Sequence, residues 1–337
     1  MKEAMFYTSV AEGVIRCNLC SHRCKIKKGK RGICGVRENR DGKLFSLVYG
    51  KIVAEHNDPI EKKPLFHFLP GSKAFSIGTV GCNFHCKNCQ NFDISQYPRE
   101  HKGEIIGQDR TPEQIVEAAK AGGSETIAYT YNEPTIFFEF AYNTALLAQK
   151  EGIKNVFVSN GYMTSDAARH MAPYLDAINI DLKAFNDRSY KEVCGARLKP
   201  ILKTIELIKE LGVWLEVTTL IIPGINDGED ELRNIARFVK SVGPDVPWHV
   251  TQFYPAYRFP DKPQTPVATL RHAREIGMGE GLRYVYEGNV PGEGGENTWC
   301  YACGAPLIKR YGLTLIQNRL QDGKCPECGA RIDGVGM

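Results

Sequence analysis

The sequence has no apolar run near the roughly 20 residues that a membrane-spanning helix needs. Its first seven residues, from Met1 to Tyr7, lack the apolar centre of a secretory signal peptide. Positive side chains outnumber negative ones by only four. The overall charge therefore favours neither a nucleic acid nor an anionic membrane as partner. Together these absences predict a cytoplasmic protein that does not enter a membrane.

Cysteine, in contrast, is abundant, with twelve residues in the chain. In a cytoplasmic protein this abundance indicates metal sites rather than disulfides. Cys194 stands alone in the sequence, and a buried thiol that packs as a small apolar residue is expected there. The other cysteines form three groups: Cys17, Cys20, Cys24 and Cys34; Cys82, Cys86 and Cys89; and Cys300, Cys303, Cys325 and Cys328.

The middle group has the spacing C-x3-C-x2-C and directly follows a mostly apolar run at residues 75–80. Three thiolates in one tight loop can hold three irons of a 4Fe–4S cluster, for which four cysteines are the usual number. No fourth cysteine is close in sequence, so one iron would be open to an outside ligand, as in catalytic metal sites. A zinc site of three cysteines, completed by His85 or a remote group, is the alternative.

Residues 1–65 are interpreted as a cysteine-rich metal-binding module and a lead-in to the core. Four thiolates at the spacing C-x2-C-x3-C-x9-C, with glycines between them, suit tetrahedral zinc. A second 4Fe–4S cluster is the alternative at these four thiols, and His22 is a possible replacement ligand. A basic run from Lys25 to Arg31 lies in this module. A solvated loop is the simpler interpretation of that run, and an RNA-binding surface is the alternative.

Residues 290–337 carry two C-x2-C-G motifs. Paired motifs of this kind are typical of zinc ribbons, in which four cysteines close a structural site. The sequence therefore predicts a zinc-ribbon-like knuckle at this end of the chain, with a rubredoxin-like iron site as the alternative.

Residues 66–289 show strand and helix signals in alternation, which is typical of parallel βα units. Thr111, Pro112 and Gln114 predict a capping box at the start of a helix. Six such units are too few for an eight-fold barrel, so we expect an α/β fold with a partial (β/α)6 TIM-like barrel. Function is expected at the carboxyl ends of its strands. Strands are predicted at 74–80, 126–131, 155–159, 177–182, 213–222 and 248–253, with a final strand at 282–286, and residues 51–71 are expected to be irregular.

The cysteine loop from Cys82 to Cys89 resembles that of the radical S-adenosylmethionine (SAM) enzymes. Two further segments, Asp181-Leu182-Lys183 and Ile222 to Asp227, resemble those of glycyl-radical-enzyme activases such as the pyruvate formate-lyase activating enzyme. The flanks, with Asp58 to Leu65, Tyr129 to Thr135 and the two four-cysteine groups, resemble the AmmeMemoRadiSam-system radical SAM proteins. That second resemblance spans nearly the whole chain.

The resemblance implies that a cluster on Cys82, Cys86 and Cys89 reductively cleaves SAM to a 5′-deoxyadenosyl radical. That radical would remove hydrogen from a substrate, in activase fashion a protein. Implied partners are a flavodoxin- or ferredoxin-like electron donor and Memo-like and AMMECR-like proteins. An RNA-modifying or small-molecule radical SAM enzyme is one alternative function. A non-catalytic zinc or iron–sulfur binding module is another, from a different class.

The resemblance also suggests which side chains contact SAM. Asn132 and Glu133 occupy the place of the family's Gly-Gly-Glu motif and would accept from the SAM ammonium, while Lys183 would pair with its carboxylate. In the simpler interpretation, Glu133 only caps a helix and Lys183 forms a surface ion pair. Asn88 stands where an aromatic residue is common in the family. The full set of expected SAM contacts is Asn132, Glu133, Ser159, Asn160, Asp181, Lys183, Ile222 and Asn226.

Overall fold

One open sheet of eight strands organises the chain in the computed structural model, which describes residues 1–337. Seven strands run parallel, each beside its successor in the chain, and one antiparallel strand borders the first of them. The strands are β8 (Ala54–Pro59), β9 (Lys73–Gly78), β11 (Thr126–Tyr129), β12 (Lys154–Ser159), β13 (Ala177–Asp181), β14 (Trp214–Ile221), β15 (Trp248–Gln252) and β16 (Val285–Gly288). A two-residue strand, β10 (Gln108–Asp109), lies outside this sheet.

Helices connect the parallel strands, and none is long and apolar enough to cross a membrane. They are α1 (Phe92–Ser95), α2 (Tyr97–Glu100), α3 (Pro112–Ala121), α4 (Phe138–Lys150), α5 (Ser165–Met171), α6 (Asp187–Ser189), α7 (Leu198–Glu210), α8 (Glu229–Val242) and α9 (Val267–Gly279). Three 3-10 turns lie at Ile60–Lys62, Pro134–Phe137 and Ala172–Tyr174, and a π-helical turn lies at Tyr190–Cys194.

Most of the predicted elements are confirmed to within a few residues. The capping box of α3 is present, with Thr111 and Gln114 each accepting from the other's backbone N–H. The cap of α5 is Thr164, one residue before its first helical residue. The interpretation of residues 51–71 as irregular was wrong for β8. That edge strand is largely exposed and lacks the apolar alternation that predicts strands.

The N-terminal residues form two small three-stranded sheets on the core. Apolar side chains such as Ile15, Ile26, Val36 and Leu44 are completely or almost completely buried and belong to the main hydrophobic core. The strands are β1 (Lys2–Glu3), β2 (Tyr7–Ala11), β3 (Val14–Cys17), β4 (Lys25–Lys27), β5 (Arg37–Arg40), β6 (Lys43–Ser46) and β7 (Lys51–Ile52), the last of which pairs with β10. The module is thus packed as part of the fold.

The C-terminal residues form a third small sheet, β17 (Thr298–Trp299), β18 (Pro306–Tyr311) and β19 (Thr314–Asn318). Its buried side chains Leu307 and Ile308 share a separate small core with Phe66 and Tyr286. This cluster joins the C-terminal segment to the region where β14, β15 and β16 begin. It lies away from the carboxyl ends at which the candidate site is found.

A buried polar network closes the amino ends of these strands. Glu216 accepts from the backbone N–H groups of Phe66 and His67 at 3.0 and 2.8 Å, and it pairs with His249 at 2.6 Å. The His67 Nδ1 lies 2.6 Å from the Asp333 carbonyl, and its Nε2 lies 2.5 Å from the Tyr286 hydroxyl. A neutral His67 that donates from Nδ1 and accepts at Nε2 satisfies both bonds.

Acid should therefore destabilise the fold through His67. Burial lowers the pKa of His67 from its ordinary 6.5 to about 4. The unfolded chain binds this proton more readily, so the contribution is present above pH 6.5 and is lost as pH falls towards 4. This difference corresponds to about 3 kcal/mol. Urea unfolding of His67→Gln between pH 7 and 4 should show a flatter pH dependence than wild type. The variant His101→Gln, at an exposed site, should keep the wild-type dependence of the unfolding free energy on pH. The same dependence in all three proteins would contradict the assignment of this effect to His67.

Candidate active site and metal centres

The loop that carries Cys82, Cys86 and Cys89 begins where β9 ends. Gly81 has φ +92°, and a Cβ there would lie 2.5 Å from Val36 Cγ1 and 2.9 Å from the Cys34 carbonyl oxygen. Glycine is therefore required for the close approach of this loop to the N-terminal module. Cys82 and Cys86 are buried and Cys89 is partly buried, so the three thiols face the protein interior.

Cys194, which is isolated in the sequence, lies against this loop. The neighbouring Cys194 side chain lowers the pKa of Cys86, and Cys86 raises the pKa of Cys194. The backbone N–H of His85 also donates to the Cys194 carbonyl at 3.1 Å. The expectation of a buried thiol is confirmed, but its place beside Cys86 was missed. The contact joins two distant segments, and no local pattern signals it.

Glu133 lies at the carboxyl end of β11 and is completely buried. Its Oε1 accepts from the Thr135 N–H at 3.0 Å, the Thr135 hydroxyl at 2.5 Å and the Ser159 hydroxyl at 2.8 Å. Its Oε2 accepts from the Asn160 N–H at 2.7 Å. Burial raises the pKa of Glu133, although these donors oppose the shift. The carboxylate thus caps the 3-10 turn and ties the ends of β11 and β12 together.

Three buried amide atoms around the cysteine loop have no hydrogen-bond partner. They are Asn83 Nδ2, Asn88 Oδ1 and Asn132 Oδ1. The amide groups of Asn132 and Asn83 are otherwise held in place: Asn132 Nδ2 donates to the Gly81 carbonyl at 2.8 Å, and Asn160 Nδ2 donates to Asn83 Oδ1 at 2.7 Å. Buried polar atoms are normally paired, so unpaired ones require an explanation. Donors and acceptors clustered beside three thiols suit a polar ligand at this place.

Asp181 and Lys183 follow β13 and form an ion pair of 2.8 Å. Their side chains are 31% and 22% exposed, so the pair is neither buried nor freely solvated. Burial opposes the charge of Lys183, but Asp181, Cys86 and Cys194 hold its pKa well above the ordinary value. Lys183 is therefore a fixed cation beside the cysteine loop.

Asn226 follows β14 and has no free hydrogen-bonding atom. Its Oδ1 accepts from the Ile222 N–H at 2.6 Å, and its Nδ2 donates to the carbonyls of Lys183 and Leu220, each at 2.8 Å. Asn226 thus joins the ends of β13 and β14. Ile222 lines a small, largely enclosed cavity of about 10 Å³ with Asn88, Lys183, Tyr190 and Cys194. This cavity lies directly beside the cysteine loop.

The segment at residues 187–197 packs over this loop. Gly195 has φ +70°, and a Cβ there would lie 1.9 Å from His85 Cε1. The π-helical turn Tyr190–Cys194 leads into this glycine, and the hydroxyl of Tyr190 accepts from the Lys183 N–H at 2.8 Å. Sequence reasoning missed Gly195 and its contact with His85, because the close approach becomes visible only in three dimensions.

The four C-terminal cysteines form a compact set that can bind one metal ion. All four sulfur atoms lie within 4.8 Å of one another. Cys300 and Cys328 are 3.7 Å apart, as are Cys303 and Cys325. A tetrahedral ion with metal–sulfur bonds of about 2.3 Å places its sulfurs about 3.8 Å apart. The predicted grouping of these four residues is therefore confirmed.

Comparisons with known proteins agree with this arrangement. The Radical SAM superfamily model matches residues 76–239. An uncharacterized protein of Methanocaldococcus jannaschii is 46% identical over 338 residues, which cover 99% of this chain and 100% of that protein. The pyruvate formate-lyase-activating enzyme of Streptococcus mutans is 22% identical over 179 residues, covering 51% of this chain and 68% of that enzyme.

A solved structure shows the same fold. Streptococcus suis SuiB bound to the precursor peptide SuiA has a TM-score of 0.51 and 16% sequence identity, with 68% of this chain and 51% of that chain covered. The family model includes the cysteine loop and the parallel strands β11 to β14. Residues 76–239 therefore form a Radical SAM domain with homology to glycyl-radical-enzyme activating enzymes.

Proposed function

We propose that this protein is a radical SAM enzyme of the AmmeMemoRadiSam group that acts on a protein in the manner of an activase. The observation that carries the proposal is the set of three inward-facing cysteines, two buried and one partly buried, beside three unpaired amide atoms. Superfamily membership and the homologous activating enzymes support it. The AmmeMemoRadiSam assignment rests on the flanking sequence motifs.

Cys82, Cys86 and Cys89 would hold the 4Fe–4S cluster. Three inward-facing thiols on one loop suit this group, because they leave one iron for SAM. When bound, the cluster supplies the electron that cleaves SAM to methionine and a 5′-deoxyadenosyl radical. The protein binds and orients the two cofactors and excludes water from them. Burial of the loop under residues 187–197 serves that exclusion.

We separate the expected SAM contacts into two kinds: residues that we propose to contact SAM directly, and residues that we propose to position the others. Asn132 Oδ1 is unpaired and is proposed to accept from the SAM ammonium. Glu133 Oε2 has one protein donor and retains a lone pair for the same cation. Asp181 and Lys183 are proposed to contact the ribose and the carboxylate. Asn226 has no free hydrogen-bonding atom, so we propose that it positions Ile222 and Lys183 instead.

Ser159 and Asn160 belong with the positioning residues, because their hydrogen bonds fix Glu133 and Asn83. We propose that the parallel strands form the partial barrel of the family, between a metal-binding module at residues 1–65 and a zinc knuckle at 290–337. The 3.7 Å sulfur separations support zinc as the C-terminal ion.

Simple measurements distinguish two other functions from the proposed one. An RNA-modifying enzyme would bind tRNA with a steep salt dependence, since Lys and Arg contacts to phosphate release counterions. Zinc alone, without iron or sulfide, in anaerobically purified protein would favour a non-catalytic metal-binding module. The unpaired amides beside Cys82–Cys89 favour the enzyme, because a closed structural metal site leaves no polar atoms awaiting a ligand.

The test is anaerobic incubation of the reconstituted protein with SAM, a reductant and candidate partner proteins, followed by mass spectrometry. We expect 5′-deoxyadenosine in every reduced sample and a modified product only with the true substrate. Absence of 5′-deoxyadenosine from protein with full iron content would contradict the proposal.

Lys183→Met should weaken SAM binding. A hydrogen bond to a charged group contributes about 1.5–3 kcal/mol, which corresponds to about a 10- to 100-fold rise in the KM for SAM. We expect the change mainly in KM, with less effect on kcat. The matched control is Lys191→Met, because Lys191 forms an exposed ion pair with Asp187 and should leave the KM unchanged. An unchanged KM in both variants would mean that Lys183 forms only a structural pair with Asp181.

A further inference from the structure

We propose that Cys17, Cys20, Cys24 and Cys34 hold a second, closed 4Fe–4S cluster and that this cluster passes electrons to the Cys82–Cys89 loop. The sequence leaves both zinc and an iron–sulfur cluster open at these four thiols. The three-dimensional arrangement of the thiols distinguishes zinc from a 4Fe–4S cluster, because the two require different distances between sulfur atoms. The electron-transfer part of the proposal rests on the proposed function, and the metal assignment does not.

The spacing of the thiols is too wide for one ion. Around tetrahedral zinc, sulfurs lie about 3.8 Å apart, and the C-terminal set has this spacing. Among the N-terminal four, no three sulfurs lie within 4.8 Å of one another. The same is true of Cys82, Cys86 and Cys89. Both of these sets therefore fit a group larger than a single ion, and four thiolates are the usual ligands of a 4Fe–4S cluster.

The four cysteines line one small, largely enclosed cavity of about 20 Å³. Its other walls are mostly apolar and include Leu19, Ile26, Ile33 and Ile136, and it contains no carboxylate. His22 also lines the cavity, but its Nε2 lies 2.8 Å from the Asn83 carbonyl and is used in that contact. The four thiols thus suffice as ligands without a histidine.

Arg37 provides an independent sign that an anionic group belongs in this cavity. Its guanidinium lines the cavity and is 2% exposed. Two of its nitrogens bond Glu139, but Nε is buried and has no partner. A buried N–H group without a partner is costly. A metal centre with four thiolate ligands carries negative charge, so it would accept from this nitrogen.

The N-terminal site directly contacts the loop that carries Cys82, Cys86 and Cys89. Arg99 Nη2 donates to the Ile33 carbonyl at 2.8 Å and to the Cys82 carbonyl at 2.9 Å. One guanidinium nitrogen therefore bridges the residue before Cys34 and the first cysteine of the loop. At Gly81, the chain is close enough to the Cys34 carbonyl that no Cβ fits. These contacts provide a short path for an electron.

The proposed step transfers one electron at a time. A one-electron carrier protein, itself an iron–sulfur or flavin protein, reduces the N-terminal cluster from the 2+ to the 1+ state. That electron then reduces the cluster on Cys82, Cys86 and Cys89 from 2+ to 1+, and the N-terminal cluster returns to 2+. Exposed Lys25, Lys27 and Lys30 surround this side of the module, so an acidic carrier suits it.

The metal assignment is tested by counting iron in two variants of the full chain, reconstituted anaerobically. One combines Cys82→Ala, Cys86→Ala and Cys89→Ala, and the other combines Cys20→Ala and Cys24→Ala. We expect about eight iron and eight sulfide per wild-type chain and about four of each in either variant. The first variant should still show the electron paramagnetic resonance signal of a reduced 4Fe–4S cluster. That signal should not respond to SAM.

Zinc instead of iron in the first variant would overturn the assignment. A failure of the proposed function gives a different result. The variant without Cys20 and Cys24 would then show no cluster signal that responds to SAM, while the variant without Cys82, Cys86 and Cys89 kept its iron. A SAM-dependent signal in the second variant also shows that its core is folded.

The relay is tested by comparing two reductants. In Cys20→Ala/Cys24→Ala, reduction of the remaining cluster by a flavodoxin-type protein should slow by at least about tenfold relative to wild type. Reduction by dithionite, a small ion that reaches either site, should change little. Equal rates with the protein reductant in wild type and variant would overturn the relay.

Discussion

Cys86→Ala should abolish SAM cleavage while leaving the chain folded. Cys86 is the central thiol of the three and is buried at the ends of the strands. The nearby carboxylate of Asp181 is not free to replace it, because Asp181 is paired with Lys183. Even residues that only support metal ligands typically change activity by about 10- to 100-fold, so loss of a ligand should reduce 5′-deoxyadenosine formation by more than about 100-fold. The measurement is 5′-deoxyadenosine formed anaerobically with SAM and reductant.

Cys194→Ala is the matched control, since it removes a thiol from the same site. We expect it to keep its cluster and most of its SAM cleavage, because three thiols hold the proposed cluster. Cys86→Ala with wild-type SAM cleavage would falsify the proposed cluster site. If Cys194→Ala loses iron as fully as Cys86→Ala, Cys194 is a fourth ligand and no iron is open to SAM. The metal content of the C-terminal cysteines reports whether each variant is folded.

Local patterns predicted much of this fold. Thr111, Pro112 and Gln114 define the start of α3 because a capping box depends on residues three apart, and the structure confirms it. The strands that end near the candidate site are buried apolar runs, which is the pattern that buried parallel strands produce. The edge strand β8 lacks that pattern because it is paired on one side only.

Features that depend on distant contacts were not predictable. The contact between Cys194 and Cys86 depends on how residues 187–197 fold over the cysteine loop. The hydrogen bonds that Glu133 accepts from Ser159 and Asn160, at the carboxyl end of β12, depend on strand order. The sulfur spacings that separate the two four-cysteine sets also need coordinates, because similar C-x2-C spacings in sequence give a compact set in one case and a wider set in the other.

Glu139→Gln should destabilise the protein strongly, because it leaves the Arg37 guanidinium charged and unpaired in the core. The two side chains are 2% and 3% exposed and share two hydrogen bonds of 3.0 and 2.8 Å. The same carboxylate accepts from the Met5 N–H at 2.7 Å, so it ties the N-terminal module to α4. Removing one partner of a buried ion pair typically costs about 3–5 kcal/mol. For a chain of this length, that lowers Tm by about 4–7 °C.

Glu192→Gln is the control, because the same substitution there breaks an ion pair with Arg188 in which the side chains are 57% and 85% exposed. Exposed pairs contribute about 0–1 kcal/mol, so Tm should hardly change. Since Arg37 also lines the cavity of the N-terminal cysteines, Glu139→Gln should in addition release iron faster to a chelator than Glu192→Gln does. Equal Tm values for the two variants would show that the Arg37–Glu139 pair does not hold the module to the core. Faster iron release without a lower Tm would instead mean that Glu139 acts on metal retention, by orienting Arg37, and not on the stability of the fold.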